Sequence, residues 1–537
     1  MIKVLKKYPS HIVICLLFLP FFLRSEPSAS DNSFDVISYQ IHLKVTPAQK
    51  FIEGSNLIKV CALKNMRAIK LDLFWQMKVS SVIFNGKQLN FQRDSNWFNV
   101  HLPYTLKKGD TMSFYVYFSG CPIEAKKAPW DGGFVWSKDS SGAPWVGLAC
   151  EGLGAACWLP CKNDWQDEPS YVKTTLEVPK NLIGVSNGKL LSQATLPNGY
   201  AQFVWEVNSP INNYNISINV GDYAHWEDVY VNEKGQRLLL NYYVLKYNLD
   251  QAKTHFQQVK RMLKTFEGYF GKYPFYEDGY KLVETPYWGM EHQSCVAYGN
   301  NYQNNKFGFD FIIVHESGHE WFGNSITAYN RSDMWIHEGF TTYSEALFVE
   351  KQYGQPRAIQ YLLAQKGNIK NLSPIIGKPW VDAKHPDNDI YYKGTWMLHT
   401  MRSILDNDTL WFNTLKELNQ KFFHKIVTSA DVEKFIINRT KYDFGPFFNQ
   451  YLRHAALPVL EYYMVNKNGL NELHYRLNAK VKTLRLPVKV ALGKDKFDFV
   501  VAEKSWKIYD LPYSNKEDFK IDEAHFLISS KRILAQP

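Results

Sequence analysis

The 537-residue chain lacks a long apolar run in its body. Beyond the N-terminal segment nothing approaches the roughly eighteen consecutive apolar residues that a spanning helix needs. It also lacks any run of about five or six basic residues, the mark of a nucleic-acid arm. The formal charge of +10 is spread along the chain and reads as a solvated basic surface, with no nucleic-acid partner. Cysteine is scarce, at seven residues. Cys15 lies in the N-terminal segment, and Cys61, Cys121, Cys150, Cys157, Cys161 and Cys295 contain no C-x-x-C pair among them. They read as core thiols or one disulfide rather than as a metal knuckle. No internal repeat and no low-complexity tract is present. What remains is well-packed globular protein, 45% hydrophobic and 15% aromatic, long enough for several domains.

The N-terminus has the layout of a targeting segment. Lys3, Lys6 and Lys7 precede the apolar run Ile12–Leu23, and the small residues Ser25, Ser28, Ala29 and Ser30 follow. Such a run suits a signal peptide over residues 1–30 and is short for a membrane span. The expectation is an exported protein, periplasmic or secreted, with no membrane span after cleavage. The alternative is an anchor through an uncleaved N-terminal segment. Asn215, Asn330, Asn371, Asn407 and Asn438 begin glycosylation sequons, which matter only in a eukaryotic secretory pathway.

Hydrophobic periodicity divides the rest. From about residue 35 to 220 the period is two: Tyr39, Ile41, Leu43 and Val45 alternate with polar neighbours. Similar runs at Ala68–Leu73, Met112–Phe118, Val172–Val178 and Ile216–Val220 predict an antiparallel β domain over 31–223. After about 248 the period becomes helical. Phe256, Val259, Leu263 and Phe266 mark one face of a helix over roughly 250–270, and helical patterns continue to about 453. Thr428 and Asp431 have capping-box spacing. From 458 to 537 short strands return, at Val459–Tyr463, Glu472–Leu477, Leu486–Leu492 and Phe497–Val501, and predict a small β-sandwich. The fold class is therefore multidomain α+β, with a mainly α central domain over 224–457.

That central segment holds the chemistry. His315-Glu316-Ser317-Gly318-His319 places two imidazoles four residues apart, on one face of a helix. Two neutral imidazoles and a carboxylate are the protein ligands of a catalytic zinc, and Glu338 is positioned to be the third. Glu316 projects beside such a metal and can take a proton from water. The apolar residues Phe309, Phe311, Ile312, Ile313 and Val314 lead into the motif and predict a buried segment, where histidines and a glutamate need partners.

The longer string His315–Asn324, reading HESGHEWFGN, resembles the H-E-x-x-H-x-W-F-G-N of the zinc aminopeptidases that include alanyl aminopeptidase and leukotriene hydrolase. Glu338 lies at that family's spacing for its third ligand. Gly289-Met290-Glu291-His292 resembles the exopeptidase motif, Tyr391-Tyr392-Lys393-Gly394 the Y-x-K-G string, and Leu159-Pro160-Cys161 with Asp167-Glu168-Pro169 a segment near the end of the N-terminal domain. The resemblance covers nearly the whole chain. It implies a thermolysin-like catalytic domain over 224–457, one Zn2+ per chain on His315, His319 and Glu338, and peptide substrates with a free N-terminus. It assigns Glu316 as general base and Tyr391 as oxyanion donor. Gly289, Met290 and Glu291 become substrate-binding residues, joined by Glu151 for the α-ammonium. Two residues depart from the pattern: His292 replaces the usual asparagine, and Trp288 stands where a glycine is usual. The third departure is length, since only about eighty residues follow the catalytic domain and they read as β. A large helical C-terminal domain is not expected, and a more open cleft is. Two other readings are a lipid-epoxide hydrolase of the leukotriene hydrolase type and a non-catalytic peptide-binding relative.

Overall fold

The computed structural model describes residues 32–377, 388–467, 469–491, 497–511 and 519–534. Residues 1–30, read above as a signal peptide, lie outside the described residues. The N-terminal half is built on an eight-stranded sheet. In order across it run Lys189–Thr195, Tyr200–Val207, Tyr171–Pro179, Phe34–Thr46, Phe51–Ala62, Thr111–Gly120, Met77–Phe84 and Lys87–Gln88. Tyr39, Ile41, Leu43 and Val45 are all buried, as their alternation requires. The first strand runs parallel to Tyr171–Pro179, with Tyr39 opposite Val172, so this sheet is not wholly antiparallel. A four-stranded sheet in the order Ile183–Val185, Asn219–Gly221, Pro144–Ala149, Gly133–Lys138 carries the chain toward the site.

The run at Ile216–Val220 is only partly a strand. Asn213–Asn215 forms a 3-10 turn, and pairing begins at Asn219. Ile216 and Ile218 are buried, but the Ser217 backbone N–H goes to Asn187 Oδ1 at 2.7 Å instead of to a neighbouring strand. Burial explains the apolar pattern here, and a side-chain amide takes the backbone bond that the pattern assigned to a ladder.

A five-stranded sheet follows, in the order Tyr223–Val231, Arg237–Leu245, Tyr280–Glu284, Val296–Tyr298, Gly289–Met290. Gly289–Met290 is its edge, antiparallel to Val296–Tyr298. Nine α-helices are described with it: α1 Leu249–His255, α2 Gln258–Phe270, α3 Phe311–Gly318, α4 Trp335–Tyr353, α5 Gln355–Lys366, α6 Asp389–Leu405, α7 Asp408–Lys421, α8 Ser429–Thr440 and α9 Gly445–Arg453. The single helix expected over 250–270 is two, broken after His255, although Phe256, Val259, Leu263 and Phe266 are all buried. Thr428 and Asp431 form the anticipated capping box at the start of α8.

The C-terminal residues form a four-stranded sheet (Lys507–Leu511, Leu470–Asn478, Val459–Lys467, Ser529–Arg532) and a hairpin-like pair (Leu486–Ala491, Phe497–Ala502). Leu460, Leu473, Val488 and Phe526 belong to the same core as the helices of the central region. A second core fills the N-terminal β region and reaches Val283, Met290 and Ala297 of the five-stranded sheet. The site lies where α3, α4 and α6 meet that sheet's edge. Among the described residues no helix is long and apolar enough to cross a membrane.

Candidate metal centre

Helix α3 is short, and Asp310 fixes its start. The Asp310 carboxylate accepts from the backbone of Ile312 at 2.9 Å and Ile313 at 3.4 Å. Tyr298 Oη donates to the same carboxylate at 2.8 Å, and His255 Nε2 lies 2.7 Å away. His315 sits in the last turn of α3 and His319 at its C-cap. Helix α4 crosses beside it and supplies Glu338 from its first turn.

Both imidazoles are held by their outer nitrogens. His315 Nδ1 is 2.6 Å from Glu345 Oε1, and Glu345 also accepts from Tyr361 Oη and, at 3.0 Å, from Gln365. His319 Nδ1 is 2.9 Å from the Phe322 carbonyl oxygen. With Nδ1–H donated outward, each Nε2 presents a lone pair inward. The two Nε2 atoms each lie 3.5 Å from Glu338 Oε2. That oxygen is buried and has no hydrogen-bond partner in the structure. An orphaned carboxylate oxygen facing two imidazole lone pairs fits one small divalent cation, and the nitrogen and oxygen donor set suits zinc. Burial works against ionisation of Glu338, yet protons on the facing His319 and His315 rings hold its carboxyl well below the usual range, and a bound cation would take the place of those protons.

Glu316 is buried beside the pair, and burial pushes its carboxyl up to about 7. Its Oε1 packs against the edge strand: a Cβ on Gly289 would come within 2.7 Å of that oxygen and 2.9 Å of Ile312 Cγ2. Gly289 is thus glycine for want of space. Glu291, at the end of the same strand, is buried and accepts from Tyr214 Oη at 3.2 Å. Its backbone carbonyl is tied to Asn324 Nδ2 at 2.8 Å, which links the edge strand to the segment after His319. Glu151 arrives from the N-terminal region. Arg331 donates to its backbone carbonyl at 2.7 Å, while its Oε1 is buried without a partner. Burial, and then the neighbouring Glu291 and Glu338 carboxylates, push the Glu151 carboxyl well up.

Tyr391 reaches the centre from α6. Its ring lies 6.1 Å from that of His315. Burial, then the neighbouring Glu338 and Glu151 carboxylates, raise its phenol well above the ordinary value. The close approach of α6 to α4 depends on two glycines: a Cβ on Gly394 would stand 3.0 Å from Gly339 Cα. Gly339 follows Glu338 and Gly394 lies in the turn after Tyr391, so this contact sets the distance between the two functional side chains. Lys393 turns away and donates to the carbonyls of His454 at 3.0 Å and Ala455 at 2.7 Å. Replacing Gly394 by alanine should force the helices apart and lower stability by about 1–3 kcal/mol, measurable as a fall in Tm. A Tm equal to that of the native protein would show that α6 shifts freely.

The structure therefore brings His315, His319, Glu338, Glu316, Gly289, Glu291, Glu151 and Tyr391 together, whereas Met290, on the same edge strand, packs into the core of the N-terminal region. Sequence reasoning missed the residues that orient them. Glu345 lies seven residues after Glu338, two helical turns on and on the same face, a spacing that could have pointed to it. Asn324 closes the HESGHEWFGN string, although the string does not say what it bonds, and Tyr214 and Asp310 carry no such signal. His292 is wholly buried and neither ring nitrogen has a partner, so burial drives its pKa down to about 3 and the ring is neutral. Of the two motif departures, Trp288 is the one on the surface, at 44% exposed. The six described cysteines are free, and Asn215, although it begins a sequon, is fully buried with its amide on Asn324 Oδ1.

Comparison with known proteins agrees with this geometry. Residues 254–451 match the peptidase family M1 domain. The chain is similar to leukotriene A-4 hydrolase of Xenopus laevis, 24% identical over 452 residues, covering 78% of this chain and 70% of that protein. It is similar to leucyl aminopeptidase of Saccharolobus solfataricus, 19% identical over 451 residues, covering 78% of this chain but 53% of that one. The chain thus spans about half the length of that aminopeptidase. Among solved structures, a two-domain M1 zinc metallopeptidase aligns with a TM-score of 0.70 at 20% identity, over 80% of this chain and 97% of its own. An M1 zinc metallopeptidase from Deinococcus radiodurans aligns with a TM-score of 0.68 at 21% identity, over 80% and 96%. These likenesses establish the fold.

Proposed function

We propose that this peptide hydrolase of the M1 kind is a zinc-dependent aminopeptidase that removes single residues from the free N-terminus of exported or extracellular peptides. One zinc per chain would be held by His315, His319 and Glu338. When bound, zinc supplies Lewis acidity, polarising a carbonyl and acidifying water. Glu316 accepts the proton of the attacking water and passes it to the leaving amine. Tyr391 donates its O–H to the oxyanion that develops on the scissile carbonyl. Glu291 and Glu151 receive the α-ammonium of the substrate.

The observation that carries the exopeptidase reading is the carboxylate pair beyond the metal ligands. Glu151 has a buried oxygen without a hydrogen-bond partner, next to a Glu291 carboxylate that raises its pKa. Two such carboxylates repel each other until a cation sits between them, and an α-ammonium is that cation. An internal peptide segment offers no charge there and would leave both groups uncompensated.

Aminoacyl fluorogenic substrates test the reading, with chelator and zinc add-back. Free-amine substrates should be cleaved and their N-acetylated forms rejected. Removal of either Glu291 or Glu151 should lower kcat/KM on the free amines. Efficient cleavage of an N-blocked peptide by the native protein would point to an endopeptidase instead. Metal analysis should find one zinc per chain, sharply reduced in His319→Ala. Full occupancy in that variant would reject the ligand set.

A further inference from the structure

A line of aromatic rings runs from two exposed indoles to the metal centre. Trp130 is 70% exposed and Trp288 44%. Their ring centroids lie 6.3 Å apart at 48°. Trp288 stacks on Phe311 at 5.5 Å and 27°, and Phe311 stacks on His315 at 5.1 Å and 25°. Trp288 does not hang free: its indole N–H donates to Asn300 Oδ1 at 3.1 Å. Two large indoles left open to water, one of them oriented by a hydrogen bond, form a surface that gains by being covered.

The direction of the edge strand says what covers it. Glu291 lies at one end of Trp288–Glu291 and holds the ammonium in the aminopeptidase reading, on which this inference rests. Gly289 lies against the carboxylate of Glu316, so the scissile bond passes beside Gly289. Trp288 is one step further from Glu291. Successive residues of an extended chain are about 3.3 Å apart, so Trp288 stands beside the residue just after the scissile bond. We propose that Trp288, Phe311 and Trp130 form a platform for the side chain of the peptide's second residue, and that it selects an aromatic or large aliphatic side chain there. Stacked and tilted ring contacts, such as those already present among these rings, suit an arriving phenyl ring better than a glycine.

Binding reads the platform without turnover. Isothermal titration of the zinc-loaded Glu316→Gln protein is made with Leu-Phe-Gly and Leu-Gly-Gly. The phenylalanine peptide should bind on the order of tenfold more tightly. Adding Trp288→Ala should reduce the ratio to about twofold or less, with Trp130→Ala intermediate. Trp75→Ala, which removes another indole exposed at 68%, should leave the ratio unchanged. Equal affinities in the parent, an unchanged ratio after Trp288→Ala, or no binding of either peptide would overturn the platform. The same two peptides given to the native enzyme separate this inference from the reading beneath it. A tenfold binding preference without turnover of either peptide would keep the platform and sink the aminopeptidase. Turnover of both peptides with no preference would do the reverse.

Discussion

Glu316→Gln should retain zinc and lose at least about a hundredfold in kcat, the lower range for removal of a positioned general base. The substitution is chosen for shape. Glu316 Oε1 lies against Gly289 so closely that one added carbon there would stand 2.7 Å away. A glutamine amide fills the same volume and preserves that packing, whereas a smaller residue would open a cavity beside α3 and confuse chemistry with stability. The amide cannot accept the water proton at neutral pH. His315, His319 and Glu338 keep their supports, since Glu345 and the Phe322 carbonyl bind the outer nitrogens independently of residue 316. Zinc content by metal analysis and turnover on a free-amine substrate are measured on the same preparation. Near-normal turnover with full zinc would exclude Glu316 as the base.

The features legible in the sequence are those fixed by local spacing. The α+β class follows from a period of two giving way to a period near 3.6, and the burial of Tyr39, Ile41, Leu43 and Val45 on one side and of Val259, Leu263 and Phe266 on the other reflects it. The Thr428–Asp431 box was readable because a cap and its partner lie within one helical turn. What spacing does not encode is which distant groups meet. Nothing in the local pattern at Ile216–Val220 says that the Asn187 side chain will take the Ser217 N–H. Similarly, the break between α1 and α2 leaves the apolar face unbroken, so periodicity reads through it. At the centre, the two histidines are readable as one helix face. Their convergence with Glu338 depends on α3 packing closely on α4, and Tyr391 joins them only because Gly339 and Gly394 let α4 and α6 touch. Tyr214 acts through a tertiary contact that no motif marks, and the spacing of Glu345 from Glu338 gives its helix face but not its bond to His315.

Tyr391→Phe should lower kcat by roughly two to three orders of magnitude with little change in KM, while Tyr392→Phe stays close to native. The two tyrosines are consecutive on α6, so their side chains leave the helix about 100° apart. They accordingly meet different neighbours. The Tyr391 phenol faces Glu338, Glu151 and Glu291, on the side where the scissile carbonyl would lie. The Tyr392 phenol faces Glu345 and Asn368, on the outer side of His315. An O–H aimed at the developing oxyanion strengthens as negative charge accumulates, so its loss falls on the transition state, at about 3 kcal/mol for one donor. In the proposed mode ground-state binding would rest on the carboxylates that receive the ammonium and on the metal, and neither is touched by removing the hydroxyl. Zinc content should be unchanged in both variants, since neither phenol is a ligand. Loss of kcat in Tyr392→Phe with retention in Tyr391→Phe would mean that the helix presents the other ring to the substrate. Equal small effects in both would leave the oxyanion to the metal alone.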